Sequence, residues 1–304
     1  MNTSKILVTA ATGSTGREIT RLLIEKGHSV SALVHQMDNR SDALAKLGAD
    51  VKVGDLLDLN AVSAALSGID GAYFCYPIKP GLLQATAYFA QAAREAGVKA
   101  IVNMSQISAR RDSKSHAAQD HWTAERVFDW SGISVTHVRP TFFAEWLLYV
   151  APVIGSGVMR MPLFADAQHA PVAAEDQARV IAAILDSPEG HAGKIYPLYG
   201  AKDLDQNEIA AIVGKALDVP LKYEQVPASV FVADGRGGGE KSLSPDAQFL
   251  IQHLEQVAID HRNGIFAGTN DVIQTIGKAE PMDVEQFVLK HKSAFGVTTK
   301  SVAV

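Results

Sequence analysis

Over residues 3–140, short apolar runs alternate with segments of helical period, and few folds accept that rhythm. The apolar runs are Ile6–Thr9, Ser29–Val34, Asp50–Val53, Gly71–Tyr76, Ala100–Met104 and Ser134–Arg139. Helical patterns fill the intervals at roughly 14–27, 40–47, 59–67, 81–97 and 119–131. Strands alternating with helices imply a parallel sheet with right-handed crossovers. Such a succession specifies an α/β fold with a doubly wound parallel sheet. Ligands bind these sheets at the carboxyl ends of the strands, where the strand order reverses.

The first unit of the series says most about chemistry. Ile6, Leu7 and Val8 run into Thr9-Ala10-Ala11-Thr12-Gly13-Ser14-Thr15-Gly16, and Ile19, Leu22 and Leu23 follow at helical spacing. Strand, glycine turn, helix is the order that grips a dinucleotide pyrophosphate. Glycine lets the backbone approach the phosphates, and the amides and dipole of the helix N-terminus supply positive potential. A plain βα turn of small residues is the competing reading. The usual pattern has a third glycine where this chain has Ala10. A methyl group is tolerated there at negative φ and costly at positive φ. The expectation is a binding loop that keeps only Gly13 and Gly16.

After Pro140 the rhythm breaks. Residues 141–150 are aromatic and apolar (Phe142, Phe143, Trp146, Leu147, Leu148, Tyr149), then come helical patterns at Glu175–Leu185 and Gln206–Leu217 around a strand at Lys194–Leu198. Glycines 235, 237, 238 and 239 mark 234–245 as a mobile loop, and 246–295 reads as mostly helical. We therefore expect a dinucleotide-binding domain over 1–140. Residues 141–304 would form a smaller C-terminal α/β lobe, partly interwoven with the first, that closes over it.

Composition narrows the function classes. The 304 residues are 47% hydrophobic and 20% charged, as in a globular enzyme rather than a disordered chain. A net charge of −5 without basic blocks gives no basis for nucleic-acid binding. The single cysteine, Cys75, excludes an intrachain disulfide and suits a reducing compartment; it reads as a buried structural thiol. No apolar span suggests a membrane segment or leader, so a cytoplasmic location is expected. No histidine has metal-ligand spacing with a carboxylate or cysteine, and no metal is expected.

The end of the second strand decides the nucleotide. A carboxylate there binds the ribose 2′-OH of NAD, and a cation accepts the 2′-phosphate of NADP. This chain reads Leu33-Val34-His35-Gln36, with Asp38 and Arg40 beyond. His35 and Arg40 are candidates to face a phosphate, which favours NADP(H) over NAD(H); His35 as an ordinary surface histidine stays open. Asp55, after the third strand, either reaches the adenine amine or serves as a turn residue, and Leu56 beside it flanks the adenine. Tyr76 and Pro77, ending the fourth strand at the sheet's carboxyl edge, border the nicotinamide ribose.

These residues resemble the NmrA-like branch of the atypical short-chain dehydrogenase/reductases. The resemblance rests on 8–16, Gly54-Asp55-Leu56-Leu57-Asp58, His121-x-x-x-Glu125, Ser131-Gly132-Ile133, Val138-Arg139-Pro140-Thr141-Phe142-Phe143 and 172–179. It covers nearly the whole chain and is weakest over 230–250. It implies a Rossmann-type fold and NAD(P)H binding, as in the family's quinone oxidoreductase-type members.

Standard short-chain reductases use a Ser, a Tyr and a Lys four residues after the Tyr, the phenol protonating the carbonyl oxygen as hydride arrives. The tyrosines here are 73, 76, 88, 149, 196, 199 and 223, and none has a lysine at that spacing. His116 and His121 lie near the usual tyrosine slot. Two functions follow. One is an oxidoreductase transferring hydride from NADPH to an electron-poor acceptor: a quinone, an azo or imine bond, or an activated alkene or carbonyl. The other is a non-catalytic NADP(H)-binding sensor acting through a protein partner, as the family's regulators do.

For the first, His121 is the candidate proton donor, with Glu125 four residues on to orient it; an exposed helix pair is the plain alternative. Ser105 matches the reductase serine by position, or is ordinary loop chemistry. Gly13, Ser14, Thr15 and Gly16 cradle the pyrophosphate, and Thr12 and Thr15 add hydroxyl donors. Phe142, Phe143 and Trp146 are candidate walls of the substrate pocket, or simple core. The partner would be a small-molecule acceptor, with neither nucleic acid nor membrane; a homodimer is left open.

Overall fold

The structure, a computed structural model, describes residues 3–235 and 244–296. In chain order the elements are β1 (Lys5–Val8), α1 (Ser14–Glu25), β2 (Ser29–Val34), α2 (Asn39–Lys46), β3 (Asp50–Val53), α3 (Leu59–Leu66), β4 (Gly71–Phe74), α4 (Leu82–Ala96), β5 (Ala100–Met104), α5 (His116–Trp130) and β6 (Ser134–Pro140). Next come α6 (Trp146–Ile154), β7 (Val158–Met161), α7 (Ala174–Asp186), β8 (Ile195–Leu198), α8 (Gln206–Leu217), β9 (Lys222–Gln225), α9 (Ala228–Gly235), α10 (Pro245–Arg262), α11 (Val272–Thr275) and α12 (Val284–Lys290).

These elements form two units. The first comprises the chain up to Pro140, Ala174–Leu198 and Asn270–Ala279; the second comprises Thr141–Ala173, Tyr199–Thr269 and the chain from Glu280 on. Both α7 and β8, expected in the C-terminal lobe, thus belong to the first unit.

The first unit is a Rossmann-type α/β fold. Its seven-stranded sheet has the order β3-β2-β1-β4-β5-β6-β8, parallel at every pairing. Parallel strands need helical crossovers and are covered on both faces, so their sequences read as unbroken apolar runs. The core on the α3–α5 side centres on Phe74, Phe89 and Phe128, whose ring centroids lie 4.9 to 6.4 Å apart in tilted and edge-on contacts. Arrangements of this kind suit the aromatic quadrupole.

The second unit holds a parallel pair, β7 with β9, in the register Val158↔Lys222 to Met161↔Gln225. Its core gathers Leu147, Val150, Ile154, Met159, Val213, Leu217, Phe287 and Val288 from α6, β7, α8 and α12. Residues 245–262 are one helix, and the rest of 246–295 is broken into short helical turns. The expected glycine loop at 234–245 lies largely outside the described residues. No helix among the described residues is long and apolar enough to cross a membrane.

Candidate functional site

The strand order reverses between β1 and β4, and the loops 9–13 and 75–81 leave their carboxyl ends. Thr9, fully buried, joins the two. Its hydroxyl accepts the Cys75 N–H at 2.8 Å and donates to the Cys75 carbonyl at 3.2 Å, while its own N–H donates to the Tyr73 carbonyl at 3.1 Å. Sequence reading missed Thr9, because a threonine ending a strand looks like any β-former. The Cys75 thiol is pushed up to about 11 by burial, so it holds its proton at neutral pH.

The glycine turn is tighter than expected. Ala10 adopts φ +48°, the left-handed conformation a side chain disfavours, at a cost of about 1–2 kcal/mol. Its carbonyl receives the Gly13 N–H at 2.9 Å and presses on Gly16, where a Cβ would lie 2.4 Å from that oxygen. Gly16 is therefore required by close backbone approach, and Ala10 carries the strain that a glycine would have relieved.

The turn delivers an open helix end. The N-cap of α1 is Gly13, with no side-chain hydrogen bond and no acidic residue in the first turn. Likewise α4, across the switch point, starts at Gly81 without a side-chain cap. By contrast Asp38, Asp58 and Ser115 cap α2, α3 and α5. An uncapped N-terminus keeps its amide donors and the positive end of its dipole available to an outside anion. Gly13 and Ser14 are exposed, Thr12 is half-buried and Thr15 is buried. A diphosphate fits this donor set of amides and hydroxyls, in a turn closed by the approach of Gly13 and Gly16 to the Ala10 carbonyl. Arg17, also in the first turn, is exposed and has no ion pair among the described residues. In the sequence it reads as an ordinary solvated helix residue.

At the ends of β2 and β3, His35 and Asp55 approach each other, with Nδ1 to Oδ2 at 3.9 Å, and both are exposed. Asp55 also accepts the Leu57 N–H at 2.9 Å, closing the loop before α3. Leu56 is half-buried and packs against the core. Arg40 binds Asp38, with its Nε and an Nη at 2.9 and 2.5 Å from the same carboxylate oxygen. The guanidinium holds the Asp38 carboxyl below the usual carboxylate range.

Three expectations need correction here. Tyr76 is buried in the core, and its hydroxyl donates to the Pro80 carbonyl at 3.1 Å. The ring thus folds the β4–α4 loop, while Pro77 is exposed beside it. Glu125 does not serve mainly to orient His121. Fully buried, it receives the Ser105 hydroxyl at 2.6 Å and both arms of Arg139 at 2.8 and 2.6 Å. His121 lies on the same inner face of α5, only 4% exposed. Third, Ser105 is committed: its one hydroxyl proton goes to Glu125, which leaves it lone pairs to offer a ligand.

Phe142, Phe143 and Trp146 lie in the second unit. Phe142 is buried, stacked on Phe266 at 4.3 Å, with Trp146 and His169 edge-on at 5.1 Å. Phe143 is half-buried and bridges to Val172. His169 Nδ1 and His261 Nε2 are 3.2 Å apart in the same cluster. Burial lowers both imidazoles, His261 to about 4.

Comparison with known proteins fits this geometry. The family model described as the NmrA-like family matches residues 2–285. The chain belongs to the NmrA-like family. It is 29% identical over 292 residues to an NAD(P)H azoreductase of Xenophilus azovorans, covering 96% of this chain and 99% of that one. It is 31% identical over 296 residues to a (4-alkanoyl-5-oxo-2,5-dihydrofuran-3-yl)methyl phosphate reductase of Streptomyces griseus, covering 95% and 99%. Among solved structures, the NADPH complex of an NADPH-dependent quinone oxidoreductase from Escherichia coli matches with a TM-score of 0.79. It shares 24% identity and is covered to 99%, with 95% of this NmrA-like chain matched. That likeness is one of fold.

Proposed function

We propose that this protein reduces a small electron-poor acceptor with hydride from NAD(P)H, without a Tyr-x-x-x-Lys pair. The observation that carries the reading is the uncapped N-terminus of α1, fed by a turn whose Gly16 has no room for a side chain. The reductase activities of two relatives matched along nearly their full length support the same reading. When bound, the reduced nicotinamide supplies the hydride.

The chain's own residues hold and orient. The amides of Gly13–Gly16 and the hydroxyls of Thr12, Ser14 and Thr15 bind the pyrophosphate. Asp55 and Leu56 border the adenine, and Pro77 the nicotinamide ribose. His35 and Arg40, each beside a carboxylate of the chain, give NADP(H) a small advantage over NAD(H). Ser105 accepts rather than donates a hydrogen bond, since Glu125 takes its proton. The site therefore lacks a strong acid aimed at a carbonyl oxygen. It suits quinones, azo and imine bonds and activated alkenes, where hydride meets an electron-poor centre and the resulting anion is already stabilised. Water or His121 then supplies the proton.

Calorimetric titration of NADPH into the Gly16→Ala protein tests the carrying observation. Affinity is expected to fall at least about tenfold, because the added methyl must displace the Ala10 carbonyl. Unchanged affinity in a folded variant would move the cofactor away from this turn.

A further inference from the structure

We propose that Asp38 sets the cofactor preference by occupying, with its own carboxylate, the groups that would recognise a ribose 2′-phosphate. This rests on the dinucleotide reading above and concerns the segment after β2.

Two features near that strand end favour an anion: the guanidinium of Arg40 and the amide donors at the N-terminus of α2. Asp38 takes both. One carboxylate oxygen accepts the N–H groups of Arg40 and Ser41 at 2.9 and 3.1 Å. The other binds the Arg40 side chain at 2.9 and 2.5 Å. The Ser41 hydroxyl completes a reciprocal cap, receiving the Asp38 N–H at 2.7 Å. The second cation, His35, faces Asp55 at 3.9 Å. Each cation at the mouth of this segment thus has a carboxylate partner within the chain. An incoming 2′-phosphate has to displace Asp38 from Arg40 or approach a guanidinium whose charge the Asp38 carboxylate already balances. NADPH then gains only a small advantage over NADH, and the chain uses both.

Asp38→Asn separates charge from fold, since asparagine caps a helix as well as aspartate does. Titrations of NADPH, NADH, 2′-AMP and 5′-AMP into four proteins give the answer: the unsubstituted chain, Asp38→Asn, Arg40→Gln and the double variant, each checked by thermal melting. The unsubstituted chain should bind NADPH and NADH within about tenfold of each other. Asp38→Asn should tighten NADPH and 2′-AMP about three- to fivefold and leave NADH and 5′-AMP within twofold, as expected for freeing one exposed ion pair. Arg40→Gln alone should weaken NADPH by no more than about threefold, the small advantage a guanidinium already paired with Asp38 still gives, and the double variant should lose the gain of Asp38→Asn. An unaltered NADPH-to-NADH ratio in Asp38→Asn would overturn the proposal. So would a tenfold loss of NADPH binding in Arg40→Gln alone, which would mean the guanidinium is already free for phosphate. Failure of one dinucleotide alone to bind the unsubstituted chain would overturn this inference; failure of both would instead overturn the dinucleotide reading on which it rests.

Discussion

Thr9 shows how much one side chain decides at the switch point. Its hydroxyl both donates to and accepts from the backbone of Cys75, so the loop after β4 is tied to the loop after β1. That tie is also why β4 ends at Phe74 and not at Tyr76: the Cys75 backbone is claimed by a side chain instead of a ladder partner. Valine matches threonine in shape and lacks the hydroxyl. Thr9→Val should cost about 1–3 kcal/mol of unfolding free energy, the usual penalty for a buried amide left without a partner. Urea denaturation measures it, and a loss below a few tenths would mean that water replaces the hydroxyl. Ala10 shows the limit of reading a motif. The missing glycine is visible in the sequence, but the sign of its φ is not, and the strained conformation is the one the fold adopts.

At the scale of elements, β2, β3, β5 and α8 begin and end where periodicity and flanking residues put them. Each is bounded by turn residues and carries an uninterrupted pattern. β7 and β9 are not legible: Val-Met-Arg-Met and Lys-Tyr-Glu-Gln are short, carry charge, and gain strand character only by pairing with each other. The polar contacts between α5, β5 and β6 are hidden for a related reason. Helical spacing puts His121 and Glu125 on one face, but nothing in the spacing says that Arg139, from a strand, takes the carboxylate. Glu125 is fully buried and Arg139 largely so. Removing the cation strands a buried charge. Arg139→Leu should therefore destabilise by about 3–5 kcal/mol, measured as a shift in the urea midpoint. Glu125→Gln, which can still accept from Ser105, should cost less. The reverse ranking would show that the pair is not what keeps the carboxylate in place.

Across the whole molecule, the pattern of strands and helices foretold a doubly wound sheet and a C-terminal part interwoven with it, but not that the returning segments are 174–198 and 270–279. Long-range returns leave no periodic trace. The second unit carries the protein's clearest acid sensitivity. Burial lowers His253 and His261 to about 4, and His169 well below its ordinary value. An unfolded chain binds protons on these imidazoles from about pH 6.5 downward, whereas the folded chain resists until near pH 4. Their stabilising effect is thus complete above pH 6.5 and drains away as the pH falls toward 4. Each site contributes a slope of up to about 1.4 kcal/mol per pH unit. The urea midpoint should drop between pH 7.5 and 5. A flat profile would mean that the imidazoles titrate as if exposed. A cofactor-binding turn without the Tyr and Lys of standard reductases supports either turnover of an easily reduced acceptor or redox sensing. The direct measurement is rapid mixing of the NADPH-loaded protein with a panel of quinones, azo dyes, imines and enones, followed at 340 nm. Stoichiometric loss of the NADPH absorbance is expected with at least one acceptor class, with a smaller rapid phase in Gly16→Ala at the same NADPH concentration because less cofactor is bound. NADPH that binds and stays reduced against every acceptor would contradict the reductase reading and leave a sensor in its place.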